Sequence, residues 1–240
     1  MKALLTYKII ICTCAILLFS HCQQSELKEV VTYYENGNVK IRGFEKNGEK
    51  HGKVTEYYLN GIIKSELNYK EGRHHGNLKE YDPSGDLIIE LNFVEGTKSG
   101  ITKEYDPPGK LYRKFYYTNG KIDGEYLEYY ENDTLSIEAN YLNGKTEGIL
   151  RVYHPNGKLY ISKNQNDSLN HGSYKVFYED GTTIDEEGYF KHGKREGLFK
   201  YFYPNGMLKD SVFFKENQWI ERHHFDSLGS YVRSSKPVTK

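Results

Sequence analysis

The chain has 240 residues, and its 33 basic and 33 acidic residues are interspersed, so no basic stripe marks a nucleic-acid surface. Tyrosine and glycine each occur 23 times, against two methionines and one tryptophan. That is the palette of a β protein with many tight turns, because aromatic side chains suit half-buried strands and glycine supplies positive φ.

Residues 1–21 begin with a basic segment (Lys2, Lys8), continue with an apolar run from Ile9 to Phe19, and end in Ser20-His21 ahead of Cys22. The run is too short for the roughly 20 apolar residues that a helix needs to cross a bilayer, so the segment reads as a helical, cleaved export signal. It resembles a bacterial lipoprotein signal, with Phe19-Ser20-His21-Cys22 standing where the lipobox would be. The resemblance implies cleavage before Cys22 and lipidation of that cysteine. Cys12, Cys14 and Cys22 are the only cysteines, so the rest of the chain holds neither a disulfide framework nor a thiolate metal site. Residues 22–29 are a short polar tether.

Residues 30–232 repeat with a period of 24. One column holds Gly37, Gly61, Gly85, Gly109, Asp133, Gly157, Gly181, Gly206 and Gly229; a second holds Gly52, Gly76, Gly100, Gly124, Gly148, Gly172 and Gly197. Four residues before the first column stand Tyr33, Tyr57, Tyr81, Tyr105, Tyr129, Tyr153, Phe177, Phe202 and Phe225. Each row predicts two strands joined at the first-column glycine, where Asn-Gly between apolar segments is a strong hairpin signal. The second connection, Gly72 to Gly76 in its row, reads as a longer loop. Pro83, Pro107, Pro155 and Pro204 end strands two residues before the turn glycine. Ile63, Leu67 and Tyr69 share parity, as period 2 requires, whereas Val54 and Tyr57 do not, which predicts a bulge or apolar side chains on both faces. The expected fold is all-β, an elongated antiparallel meander of about seventeen strands, two per repeat, held by contacts between neighbouring rows.

Departures from the pattern have physical readings. Asp133 replaces a turn glycine, and Asn-Asp still adopts left-handed geometry. The row that starts at Gly181 has one extra residue before Gly193, read as a bulge or longer loop. In the last row Asn217, Glu221 and Arg222 replace two glycines and an apolar residue, as befits a polar cap. Residues 233–240 form a tail.

The chemistry is sparse. His51, His75 and His171 precede a loop glycine where other rows carry Ser99, Asp123, Glu147 and Glu196, the drift of a solvated turn and not of a metal ligand. His74-His75 and His223-His224 are neighbours that a strand points to opposite faces. Glu56, Glu80, Glu104 and Glu128 form a column with like environments, which reads as a solvated stripe flanked by Lys79 and Lys103 and not as a catalytic pair. The triplets Asn132-Asp133-Thr134 and Asn166-Asp167-Ser168 match glycosylation acceptors but fall in turns. No nucleophile elbow, P-loop or dinucleotide fingerprint occurs, so no catalytic residue, cofactor, metal or small-molecule substrate is expected. The invariant aromatic column reads as core. The column after it (Tyr34, Tyr58, Asp82, Asp106, Tyr130, His154, Tyr178, Tyr203, Asp226) reads as the one that contacts partners.

With these residues, from about Val30 to Tyr231, the chain resembles the MORN-repeat proteins. Gly-x-x-x-Gly loops such as Gly48 to Gly52 and Gly72 to Gly76, followed by aromatic strands ending in Asn-Gly, carry the likeness. Standard MORN rows place a glycine five residues before the first loop glycine; here only Gly43 and Gly188 stand there, and Leu67, Leu91, Phe115, Ala139, Lys163 and Val212 take the place in other rows. The bacterial variant class, which includes the YwqK-type antitoxin group, therefore fits better. The expected function is a non-enzymatic scaffold for protein–protein interaction, exported and lipid-anchored through Cys22 to the outer membrane or the periplasmic face. A toxin-like partner, neutralised as by an antitoxin, and a lipid- or glycan-binding surface are the alternatives.

Overall fold

The computed structural model describes residues 26–237, a single antiparallel sheet with no helix. Residues 1–21, with the expected helical signal, and Cys22 lie outside the described residues. The sheet runs from the strand Leu27–Tyr33 to the strand Tyr231–Ser235, and each long strand pairs with the next long strand in the chain. Of the 23 strands, five are two-residue pieces (Glu49–Lys50, Arg73–His74, Thr97–Lys98, Lys145–Thr146 and Lys194–Arg195), each followed after one residue by a longer strand that begins at a glycine. That leaves eighteen strand lines, close to the two per row expected.

The hairpins at the first glycine column form a three-residue turn, as one row shows. Tyr58 donates its N–H to Ile62 at 2.8 Å and Gly61 donates to Tyr58 at 2.9 Å, with Gly61 at φ 85°. Asn60 stays right-handed and its side-chain oxygen accepts the Ile62 N–H. Only the glycine needs the left-handed region, where a side chain would be strained. Asp133 takes its place in one row at φ 64°, as expected.

The second connection is not the longer loop expected. Lys70 pairs with Arg73 around a two-residue turn with both central residues left-handed, Glu71 at φ 50° and Gly72 at φ 71°. Gly76, at φ 86°, is a separate feature, a bulge where the His75 N–H bonds Asn68 at 2.8 Å. A two-residue turn of this hand matches strand twist, which the loop reading of Gly-x-x-x-Gly overlooked. The extra residue of the Gly181 row sits in the first turn, where Tyr178 bonds Thr183 instead of the next residue down. Consequently Ile184 and Phe190, each one residue later than a period of 24 would place them, stand where Ile63 and Tyr69 stand in their row.

The core is a single line of side chains on one face. It includes Val54, Leu67, Leu78, Leu91, Thr102, Phe115, Ala139, Phe199 and Val212, linked by the pairs Val54 with Leu67, Leu78 with Leu91, Thr102 with Phe115 and Phe199 with Val212. The invariant aromatic column is not this core. The Tyr81, Tyr105 and Tyr153 hydroxyls donate to Glu66, Glu90 and Glu138, residues whose parity places them opposite Leu67, Leu91 and Ala139. The opposite parity of Val54 and Tyr57 has both of its anticipated consequences, a register shift between Glu56 and Tyr57 and large side chains on both faces.

The core line also explains Gly188, which needs no positive φ. A Cβ there would lie 2.4 Å from the Phe199 ring, which has no exposed surface. Gly188→Ala is expected to cost about 1–3 kcal/mol by overpacking, measured by denaturant unfolding. Phe199→Leu in the same chain should recover part of that loss, and a strictly additive double variant would contradict the contact.

Candidate functional site

Three parts of the sheet carry polar chemistry: its turn margins, its tyrosine face and its C-terminal end. At the margins, the column expected to meet partners is occupied with holding rows together. The hydroxyls of Tyr34, Tyr58, Tyr130, Tyr178 and Tyr203 each donate to the backbone carbonyl of the aromatic residue one row on, at 2.7 to 3.1 Å. Asp82 and Asp226 instead cap their own turns, accepting N–H bonds from Ser84 and Asp86 and from Leu228 and Ser230. Asn60, Asn132, Asn156 and Asn205 donate amide bonds to the next turn. This role was not legible in the sequence, because a hydroxyl one row away from a carbonyl is invisible without the pitch of the sheet.

The glutamate column forms a ladder on the core face. Glu56, Glu80, Glu104 and Glu128 alternate with Ser65, Ile89 and Arg113 across paired strands. Lys79 and Lys103 do not flank it; they pair with Glu90, at 3.1 and 3.9 Å, on the tyrosine face. Glu104 binds Arg113 at 2.6 Å. The tyrosine face is thus a stripe of Tyr–Glu–Lys contacts, including Lys53 with Glu66, Arg151 with Glu138 and Lys200 with Glu187. Burial and the bond to Glu90 push the Tyr105 hydroxyl up to about 12, so it stays a donor at all physiological pH. Among these charges, Ile101, Ile149, Leu198, Phe213 and Tyr189 remain near half exposed, and Leu198 pairs directly with Phe213.

The histidines divide as strand geometry demands. His224 bonds Asp210 on the core face while His223 lies 3.8 Å from Glu221. His74 packs edge-on to Tyr69, its Nε2 2.8 Å from the hydroxyl, and tilts against Phe93. Among the described residues no group of three or more His, Cys, Asp or Glu is placed to hold a metal ion. The Asn132 side-chain carbonyl accepts from Thr134 in its own turn, and its amide donates to Pro155 in the next.

Sequence reasoning missed the C-terminal end. A cleft of about 480 Å³ is lined there by Tyr201, Asp210, Val212, Phe214, Trp219, Arg222 and Ser235, among others. Asp210 is 3% exposed and accepts two bonds from Arg222, both at 2.8 Å, and one contact with His224 at 2.9 Å. Burial alone would raise its carboxyl; the Arg222 and His224 bonds outweigh burial and hold it below the ordinary 3.8. Glu186, 3.0 Å from Arg195, is displaced the other way because burial dominates there. The available signal was the pair Asp210 and Arg222 in columns that are otherwise mostly apolar.

The family model described as MORN repeat variant matches residues 28–47, 50–71, 75–95, 122–143, 146–167 and 195–216, more than half of the chain. The intervening rows form the same hairpins, Gly100–Asp106 with Lys110–Thr118 and Leu169–Phe177 with Ile184–Lys191. A search of curated proteins finds no match.

A depressed carboxyl stabilises the fold above its unfolded value and loses that contribution as pH falls through the lower folded value. Asp210→Asn should therefore cost about 2 kcal/mol at neutral pH, at the low end for a buried pair because Arg222 keeps access to water. The gap between variant and parent should close below pH 3.8, read by urea unfolding across the pH range. A gap that stays constant with pH would contradict the ion pair.

Proposed function

Because the chain belongs to the MORN repeat variant family, whose repeats in general mediate interactions with proteins or membranes, we propose that it is a non-enzymatic scaffold tethered to the bacterial envelope through a lipid on Cys22. The observation that carries this reading is the unbroken sheet of repeated hairpins, which offers an extended surface where an enzyme needs unequal groups in one enclosed place. On the tyrosine face the half-exposed Ile101, Ile149, Leu198, Phe213 and Tyr189 interrupt a polar stripe, the mixture of apolar anchors and polar rim on which proteins dock. Interleaved ion pairs such as Lys53 with Glu66 and Lys79 with Glu90 neutralise lysines along this face, which favours a protein partner over direct binding of anionic headgroups. The N-terminal apolar run and Cys22 support the address: a lipidated Cys22 on its short tether would place the sheet close to the membrane surface.

Fractionation tests the address. The parent chain should sediment with membranes and Cys22→Ala should move to the soluble fraction; a variant that stays with membranes would contradict lipidation at Cys22. Recovery of membrane complexes through the repeat region tests the scaffold, and the expected result is one reproducible protein partner. A toxin-like partner would extend the reading to an antitoxin role, and repeated recovery of none would overturn the scaffold.

A further inference from the structure

Beside the cleft over Trp219 lies a second cavity, of about 370 Å³, lined by Arg222, His224, Arg233, Ser234 and Ser235. Among the described residues no carboxylate lines it. Its residues are brought together by pairing of the strands Gln218–Phe225 and Tyr231–Ser235, which sets Arg222 opposite Ser235 and His224 opposite Arg233. Alternate residues of a strand share a face, so these four stand together on the core face. In an interior row the same places hold Leu78 with Leu91 and Glu80 with Ile89. Three apolar residues and a carboxylate have thus given way to two guanidiniums, an imidazole and a hydroxyl.

The acids near this set are already engaged. Asp210, 3% exposed, accepts from Nε and Nη2 of Arg222, both at 2.8 Å, and its other contact is Nδ1 of His224 at 2.9 Å. Glu221 faces the opposite side of the sheet, where it meets His223 and Lys236. Asp226 accepts the backbone N–H groups of its own turn. Arg233 therefore enters no ion pair among the described residues, and Asp210 cancels just one of the two arginines. A guanidinium has five N–H donors, and the fork on Asp210 uses two of those of Arg222, so three remain. Both Arg222 and His224 are held in place by a buried partner, which lowers the cost of ordering them around a ligand.

We propose that this cavity binds a phosphate monoester, with Arg222 and Arg233 on its oxygens and the Ser235 hydroxyl beside them. Asp210 shows what a carboxylate requires here: one guanidinium fork and one imidazole. The cavity offers a whole second guanidinium, three N–H groups of the first and a hydroxyl, which suits the three strong acceptor oxygens and the charge of about −1.5 to −2 of a phosphate monoester. Its volume falls in the range of small-molecule sites, about 300 to 1,000 Å³, and leaves room for the group that carries the phosphate. The site owes nothing to the repeat pattern, whose interior rows place leucines there, and it goes beyond the scaffold reading without depending on it.

Inorganic phosphate titrated into the full-length chain at constant ionic strength should shift the amide resonances of Arg222, Arg233 and Ser235 saturably, and acetate should not. Arg233→Gln, on a strand exposed along its length, should weaken phosphate binding about tenfold or more. Lys236→Gln removes the same charge from the opposite face and should leave the affinity unchanged. Two esters separate the sources of the group. Glycerol 3-phosphate binding that Arg233→Gln loses assigns a soluble ester. Sedimentation of the Cys22→Ala chain with phosphatidylcholine vesicles carrying phosphatidic acid, absent with phosphatidylglycerol at equal charge and lost in Arg233→Gln, assigns a membrane one. No saturable shift, equal response to acetate, parent-like binding by Arg233→Gln or equal loss in Lys236→Gln would overturn the proposal. So would binding of inorganic phosphate without either ester, the mark of an adventitious ion only.

Discussion

Each row of this sheet is fastened to the previous one by the backbone amide of a turn, and the rest of the structure depends on that bond. Gly72, Gly96, Gly120 and Gly144 donate to the carbonyls of Lys50, His74, Lys98 and Ile122 at 2.7 to 3.0 Å, and Ser168, Gly193 and Asn217 do the same further along. The geometry requires two consecutive left-handed residues, which is why the second of them is glycine in most rows. A one-layer sheet has a core only one side chain wide, so burial alone offers little against the entropy of ordering the chain. Stapling at one margin by turn amides, and at the other by tyrosine hydroxyls and asparagine amides, holds the pitch at which Leu67, Leu78 and Leu91 meet.

That pitch assigns the two faces different tasks. The core face carries the apolar line and, beside it, the ladder through Glu56, Ser65, Glu80, Ile89, Glu104 and Arg113. The opposite face carries the tyrosines and their glutamate and lysine partners, with the aliphatic and aromatic side chains that remain half exposed. Among the described residues the core face holds a cleft at the C-terminal end, where the apolar line gives way to Arg222 and Ser235.

Much of this was legible in the sequence. The period, the two strands per row, the hairpin at each Asn-Gly and the split parity of Val54 and Tyr57 all follow from local rules of turns and pleats. What misled was rank by size. Nine aromatic residues in one column suggested the core, yet the core runs through Leu67, Leu91, Phe115 and Ala139, whose column varies in composition because each member is matched to its cross-strand neighbour. Gly188 is the extreme of that matching, small because Phe199 is large. Tyr34 and Tyr58 were read as partner contacts because their bonds reach carbonyls 23 residues away, a distance no local rule spans. The cleft was hidden for the same reason: Arg222 looked like a polar cap, and only the pairing with Ser235 and Asp210 shows what its polarity leaves empty.

Amide hydrogen exchange at the turns tests the row-to-row fastening most directly. The amides of Gly72, Gly96, Gly120 and Gly144 sit in two-residue turns at the margin of the sheet, where an ordinary hairpin turn would exchange freely. Bonded to the previous row, they should exchange as slowly as amides inside the neighbouring strands and open together with them. Exchange of these four amides at the rate of an unstructured peptide, with the strand amides still protected, would show that the rows are held by side-chain packing alone.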